Sequence, residues 1–333
     1  MSKRANLFWL YWERFGILAI LLTTLGIFAF LTPEIIAIDK LLGVLSNSTT
    51  VAIAAMGMTY AICSGGFDLS VGSIAALCTC VWAGLLPILS VVTTPLVALI
   101  LATLITIIVG GICGLLNGLA VTKLKIVTFV ATLSMSMIFR SLAQTITDGK
   151  KQMIQFATNP EAKIFAQNFE IFGQSVNLVS ISMMIIVFVV GYLLYRHTRF
   201  GVYARSVGSN EMSSRTSGIP VDFTLIMVFV LTGVTAALAS LIQASRNMQG
   251  STLLFQGFEL DVITATILGG TSLAGGKGNI WGSMVAAILL ALVRSGLNMM
   301  GAVEEYQRLA IGGILLLALT ISGIQELIKE KHK

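Results

Sequence analysis

The chain has 333 residues, of which 56% are hydrophobic and only 11% charged, far below the charged share of about 25% in a soluble domain, so a water-soluble globular class is excluded. The net charge of +6 comes from Lys and Arg dispersed singly between apolar runs; with no basic face, nucleic acid is excluded as a partner. At about 20 residues per span, ten membrane helices would take roughly 200 residues and leave the rest for short connections.

In chain order, Lys3, Arg4 and Arg14 precede an apolar run that ends at Thr32, Pro33 and Glu34 without a small-residue cleavage site. It reads as a retained first span and not as a signal peptide. Apolar runs then recur near 15 to 31, 41 to 62, 70 to 90, 95 to 119, 126 to 143, 176 to 195, 222 to 245, 260 to 274, 280 to 298 and 306 to 325. The expectation is an all-α polytopic membrane protein, a single transmembrane domain over residues 1–333 with about ten spans. The runs are too long and continuous for barrel strands, and a helix satisfies its own backbone in lipid. With both termini in the cytoplasm, the inner segments collect most of the basic residues, among them Lys123, Lys125, Arg196, Arg199, Arg205, Arg215 and Lys277, as the positive-inside rule requires. Arg140, Arg294 and Arg308 then fall near the outer ends of spans. Within the fourth run, Gly110, Gly111, Gly114 and Gly118 recur at about helical spacing, which predicts close helix contact. Cys63, Cys78, Cys80 and Cys113 sit in apolar runs and read as small apolar fillers, with no disulfide and no metal expected.

Two connections exceed a turn. The outer one, from about Gln144 to Gln174, carries Pro160 with Ile164, Phe165, Phe169, Ile171 and Phe172, a pattern that suggests a segment lying on the membrane surface. The inner one, at about 196–220, holds a compact set of helix signals. Ser209 or Asn210 can cap, Glu211 complements the positive dipole end, Arg215 the negative end, and Gly218 suits a left-handed C′ position. A cytoplasmic helix of about two turns is predicted, too short to be stable alone, so it needs a partner surface.

Asp68, in the run from Gly65 to Ser73, is the single carboxylate of that stretch. A charge at the bilayer centre costs about 2.5 to 3.5 kcal/mol, which favours an edge or a broken helix at the inner end of the second and third spans. Asp68 reads as a cap for the third helix, while the glycines around it let the backbone leave the helix beside a solute pathway. Gly275, Gly276 and Lys277 end a false phosphate loop, because Thr271 and Gly278 stand where that motif needs Gly and Ser or Thr. A tight turn between helices fits better, and any ATP hydrolysis belongs to another chain.

The inner loop, with its Arg199-Phe200-Gly201 start, then Gly208-Ser209-Asn210-Glu211 and a closing Gly218-Ile219, resembles the cytoplasmic loop of ribose-type ABC permeases. Gly65-Gly66-Phe67-Asp68-Leu69-Ser70-Val71-Gly72-Ser73 is similar to the same family's Gly-Gly-Ile-Asp-Leu-Ser-Val-Gly-Ser segment, with Phe67 for the usual Ile. Glu259-Leu260-Asp261-Val262-Ile263 followed by Gly269-Gly270-Thr271-Ser272-Leu273-Ala274-Gly275-Gly276, and then Gly296-Leu297-Asn298, continue the match in family order. The resemblance covers nearly the whole chain. It implies a bacterial inner-membrane permease subunit of a binding-protein-dependent importer for a monosaccharide or sugar-like solute. Its implied partners are cytoplasmic ABC ATPase subunits, a periplasmic sugar-binding protein, a second permease copy or paralogue, and lipid. The chain would bind no cofactor itself, ATP and Mg residing on the partner ATPase.

On that basis Gly208, Asn210, Glu211, Arg215 and Gly218 are expected to couple to the ATPase. Gly65, Gly66, Asp68, Ser70, Asn117, Gly269, Gly270 and Asn298 are expected at the pathway or its helix breaks, and Lys150, Lys151, Arg246 and Glu259 at the docking surface for the binding protein. An ion-coupled secondary transporter is the alternative. It needs ionisable groups inside the bundle, and Asp68, Glu259, Asp261 and the end-placed arginines are the available ones. A membrane enzyme needs acids, bases or metal ligands at one face, and His197 and His332 are too few and too far apart.

Overall fold

The computed structural model describes residues 3–155, 157–171 and 173–330. Among the described residues there are twelve α-helices: α1 (Lys3–Leu31), α2 (Ile38–Cys63), α3 (Val71–Val92), α4 (Pro95–Thr122), α5 (Thr128–Ile146), α6 (Leu178–His197), α7 (Arg199–Ser209), α8 (Glu211–Thr216), α9 (Val221–Asn247), α10 (Phe258–Leu268), α11 (Ile280–Met299) and α12 (Glu304–Glu330). Four short strands, β1 (Gln152–Met153), β2 (Phe169–Ile171), β3 (Gln174–Val176) and β4 (Gln249–Gly250), form two antiparallel ribbons. Gln152 lies opposite Gly250, and Phe169 opposite Val176. The protein is therefore mainly helical, with strands confined to the connections.

Local chemistry sets the helix ends. Pro95 opens α4 at a position where its missing N–H costs nothing. Asn177 accepts from Ser180 N at 3.0 Å to start α6, and Asn279 accepts from Gly282 N at 3.0 Å to start α11. In α9, Asp222 in the first turn and Arg246 in the last match the helix dipole.

Seven helices, α2 to α6, α9 and α11, are long and apolar enough to cross a membrane. Leu96, Ile100, Leu104, Ile108 and Ile112 lie exposed along one side of α4, the surface a span offers to lipid. The expected eighth span, 260 to 274, is not one continuous helix. Only α10 is helical, and at 11 residues it reaches about 16 Å, half of a hydrocarbon core. Gly269 and Gly270, the latter at φ +93, stop it in a turn.

The bundle centres on α2, α9 and α11, with α4 laid along α9. Gly110, Gly114 and Gly118 face α9, and a Cβ on Gly114 would strike the main chain of Phe229 and, at 2.8 Å, Val230 Cα. Gly118 sits in the same way against Ile226 Cα at 2.7 Å. Gly111 is the exception to the sequence expectation, since it meets only a Val234 methyl at 3.6 Å.

Two connections fold back into the bundle instead of leaving it. After α2, Gly65 (φ +86) reverses the chain and Gly66 N bonds Ala61 O at 2.9 Å. The chain then climbs until Asp68 meets Thr232, about midway along α9. After α9, the left-handed Met248 (φ 49) reverses the chain again. Residues 249–257 descend beside α3, Ser251 N reaching Thr79 Oγ1 at 3.3 Å. Phe255 (φ 60) and Gly257 (φ 74) turn it into α10.

Part of the outer connection packs on the bundle. Pro160–Ala166 is a 3₁₀ helix whose Ala162 is buried, Ser245 Oγ donating to its carbonyl at 2.6 Å. Phe165 stands edge-on to Trp82 with ring centroids 6.0 Å apart, and Ile164 joins the same cluster. Ile164 and Phe165 thus pack over α3 and α9, whereas Phe169 is exposed; Phe172 and the Ile171 side chain lie outside the described residues.

Candidate functional sites

The inner loop forms two helices where the sequence signals predicted one. α8 begins at Asn210, whose side chain accepts from Ser213 N at 2.8 Å, and ends before Gly218 at φ +79. At six residues it is shorter than two turns. Glu211, Met212, Arg215 and Gly218 are exposed, with only Ser214 of α8 buried. Arg215 bonds Glu211 Oε1 at 2.9 Å and Asp222 Oδ1 at 2.6 Å. Hydrogen bonds from its guanidinium to Asp222 and then Glu211 hold it above its ordinary pKa. Lys123 and Lys125 approach the same Asp222 at 3.6 and 3.9 Å. Exposed pairs of this kind contribute little stability, so the cluster's value is in fixing the angle between α8 and α9.

The preceding helix, α7, had no reading in the sequence, yet it anchors α8 to the bundle. Thr198 caps it, and Gly201 packs on the Tyr195 main chain. Arg205 donates to Tyr195 O at 3.1 Å and stacks over the Tyr195 ring at 4.8 Å, and Phe200 stacks on Tyr60 at 5.4 Å. Tyr195 Oη accepts from Gly278 N at 2.7 Å and lies 3.3 Å from Cys63 Sγ. Gly208, expected to face a partner, instead faces inward: a Cβ there would fall on the Cys63 carbonyl, with Gly276 N at 2.8 Å. Gly276 N bonds Cys63 O at 2.8 Å through the same gap. Gly208 is thus the joint between the loop and the bundle, and Asn210, Glu211, Arg215 and Gly218 are its outward side.

At mid-depth, the fully buried Asp68 is not the helix cap expected of it, because α3 starts at Val71 with Ser70 as the capping residue. Asp68 Oδ1 accepts from Ser70 N at 2.9 Å and Ser70 Oγ at 2.5 Å, and Oδ2 accepts from Thr232 Oγ1 at 2.6 Å. Asn117 Nδ2 donates to Ser70 Oγ at 2.6 Å and approaches Asp68 Oδ1 at 3.4 Å. The carboxylate joins the break after α2 to α4 and α9. Nor does it lie at the inner membrane edge, since the glycine reversal carries it back to the level of Thr232. The expected pathway set therefore divides. Asp68, Ser70 and Asn117 meet, with Gly65 and Gly66 making the turn that brings them there. Gly269 and Gly270 belong to the inner turn below α10, where Asn279 Nδ2 bonds Gly269 O at 2.9 Å. Asn298 is exposed near the C-terminal end of α11.

The docking set also divides. Lys150 and Lys151 are exposed beside β1, and Arg246 lies near β4 at the same end of the bundle. Arg246 reaches Ser46 Oγ at 2.9 Å and lines a cavity of about 580 Å³ together with Asn47, Lys163, Asn168 and Asn177. Glu259 is elsewhere. It sits in the first turn of α10 against Gly72 of α3, where a Cβ would collide with its carboxylate and with Phe255 O at 2.8 Å. The reason is the descent of residues 249–257, which carries Glu259 down into the bundle. Asp261, two residues further along α10, bonds Arg294 of α11 at 2.7 Å. Arg140 of α5 donates to the carbonyls of Thr252, Leu254 and Phe255.

Comparison with known proteins agrees with this architecture. The family described as "Branched-chain amino acid transport system / permease component" matches residues 40–319. The chain is 35% identical over 306 residues to the ribose import permease protein RbsC of Escherichia coli (strain K12), covering 91% of each chain. It is 34% identical over 298 residues to RbsC of Bacillus subtilis (strain 168), covering 89% of this chain and 88% of that one. To the D-allose transport system permease protein AlsC of Escherichia coli (strain K12) it is 30% identical over 329 residues, covering 97% and 95%. No solved structure matches the chain. An apolar helical bundle, an anchored helix pair on one face and these relatives along almost the full length lead to one conclusion: the chain belongs to the ribose-type ABC permease family and is a multi-pass inner-membrane protein.

Proposed function

We propose that this chain carries a monosaccharide, ribose or a close relative of it, into the cytoplasm, driven by ATP that partner ATPase subunits hydrolyse with Mg. A periplasmic binding protein delivers the sugar, and a second permease copy or paralogue completes the pathway. The observation that carries the reading is the docked α7–α8 pair: an exposed helix of six residues, too short to stand alone, is locked through Gly208 to the ends of α2 and the Gly275–Gly276 turn. A push on α8 is thereby delivered to the bundle. Lys150, Lys151 and Arg246, gathered at the opposite end, suit the landing surface for the binding protein. The sugar assignment is supported by the relatives named for ribose and allose.

The test is uptake of labelled D-ribose by cells holding the whole transporter and lacking other ribose systems. Uptake should need the partner ATPase and stop without it; uptake that persists on an ion gradient alone supports a secondary carrier. Replacing Glu211 and Arg215 together by alanine should leave membrane amounts unchanged, because exposed pairs contribute only about 0.2–1 kcal/mol. The same variant should cut uptake per ATP hydrolysed; unchanged coupling argues against α8 as the contact.

The proposed topology has about ten membrane-embedded helices and both termini in the cytoplasm. α1, α10 and α12 join the seven helices already named, and the α4–α5 turn with Lys123 and Lys125 lies on the inner side with α8. A reporter inserted at Asn210 should give a cytoplasmic signal, and a periplasmic signal would reverse the orientation.

A further inference from the structure

We propose that Glu259 contacts the solute: resting on the permease reading above, its carboxylate accepts hydrogen bonds from hydroxyls of a neutral polyhydroxylated molecule passing along a wall made by α5, residues 251–257 and the start of α10. Arg140 is the positioning residue that holds this wall in shape.

Depth is the first observation. Glu259 packs on Gly72 in the first turn of α3, just beyond the mid-depth Asp68. This places Glu259 within the membrane-embedded part of the bundle. Yet Glu259 is only partly buried, and Gln256 and Gly257 beside it are exposed. A partly exposed carboxylate at that depth is unfavourable against lipid. The surface therefore faces water or the second permease copy across it.

The backbone points the same way. Non-helical main chain inside a membrane is tolerated where it is buried in protein or lines a water-filled cavity. Residues 251–257 are non-helical, with Phe255 in the left-handed region that a bulky side chain rarely adopts. Across from them, α5 exposes Ser134, Ser141, Gln144 and Thr145 interleaved with Met137 and Ile138, a face that offers hydroxyl and amide groups between apolar ones.

The charges then supply the hydrogen-bond acceptors. The Arg140 guanidinium is taken up by the three carbonyls of Thr252, Leu254 and Phe255. Glu259, among the described residues, forms no salt bridge; its own backbone N–H bonds the carboxylate, which has further acceptor sites for hydroxyl donors. A carboxylate with acceptor sites to spare takes hydrogen bonds from sugar hydroxyls.

The experiment uses the full transporter in the same cells, with D-ribose as the probe. Glu259→Gln should lower the maximal uptake rate roughly tenfold or more, the loss expected for a hydrogen bond to a charged acceptor, with half-saturation unchanged and normal membrane amounts. Gln256→Cys should react with a charged, membrane-impermeant maleimide faster than the wild type, whose four cysteines are buried. Arg140→Ala should change that labelling rate, and Arg140→Lys should restore part of it. Uptake at the wild-type rate by Glu259→Gln overturns the proposal, and so does a Gln256→Cys variant labelled no faster than wild type. Lack of ATP-dependent ribose uptake by the wild type is instead the failure of the permease reading, and the labelling arm still decides whether the wall meets water.

Discussion

Replacing Gly208 with valine is expected to reduce uptake to less than roughly a tenth of wild type, through overpacking that ordinarily costs about 1–3 kcal/mol and falls here on main chain. The new side chain would meet the Cys63 carbonyl, Cys63 C at 2.8 Å and Gly276 N at 2.8 Å. None of these atoms can rotate away, and the Gly276 N to Cys63 O bond passes through the same space. The α7–α8 pair must then lift from α2. Gly218 supplies the contrast. It also has a family-expected role, but nothing lies within 4 Å of its Cβ position, and its φ of +79 is the sole obstacle. Gly218→Ala should cost only about 1 kcal/mol and retain most uptake. Transport per molecule in the membrane, with ATPase activity measured beside it, checks both. Equal behaviour of the two variants would remove the joint from the account.

Asp68→Ala should have the largest effect on the folded state. Leaving a buried donor without its acceptor costs about 1–3 kcal/mol, and Asp68 is the acceptor for more than one. Here Ser70 N and Ser70 Oγ would lose their acceptor in a place water does not reach, while Asn117 Nδ2 and Thr232 Oγ1 would be left with Ser70 Oγ and Phe229 O alone. Asp68→Asn keeps one acceptor oxygen and offers an amide that the Thr232 hydroxyl can accept, so it should be milder. Thr232→Val removes a single bond and should be milder still, although Thr232 also donates to Phe229 O at 2.8 Å. The expected order is read from thermal unfolding of the purified complex in detergent. Adding Thr232→Val to Asp68→Ala should cost little more than Asp68→Ala alone, since coupled partners are not additive. Full additivity would show that the two side chains do not share a bond.

Features governed by neighbours in the sequence were legible there. Asn210 as a cap, Gly218 in the left-handed region and Gly110, Gly114 and Gly118 of α4 all follow from local rules, and each sits in the structure where those rules put it. The four cysteines are buried and free, as small apolar fillers are. What escaped depends on contacts between distant segments. Glu259 reads as an outer-loop charge because it follows α9, and nothing nearby in sequence reveals that the chain turns back at Met248. A non-glycine in the left-handed region, with Gly72 far upstream clearing the space, was the missing information. α7 escaped for a related reason. Its apolar content is low, and it is held by Tyr60, Tyr195 and Arg205, residues that look unremarkable as isolated letters. Asp68 was recognised as special, but its partners Thr232 and Asn117 lie on other helices, so a local cap was the available explanation. Gly201 before Gly208, at helical spacing in a polar stretch, was the one usable hint of a second inner helix.

The seam between α4 and α9 has a mechanical consequence. Where Gly110 faces Gly233 and Gly114 faces Phe229, main chain rests on main chain with no intervening layer of side chains. Such a joint has no rotamers to rearrange and little slack to absorb a displacement. The two helices must travel as one stiff plate. Any alternation between inward and outward openings is then left to the pieces hinged around that plate, at the reversals near Gly65 and Met248.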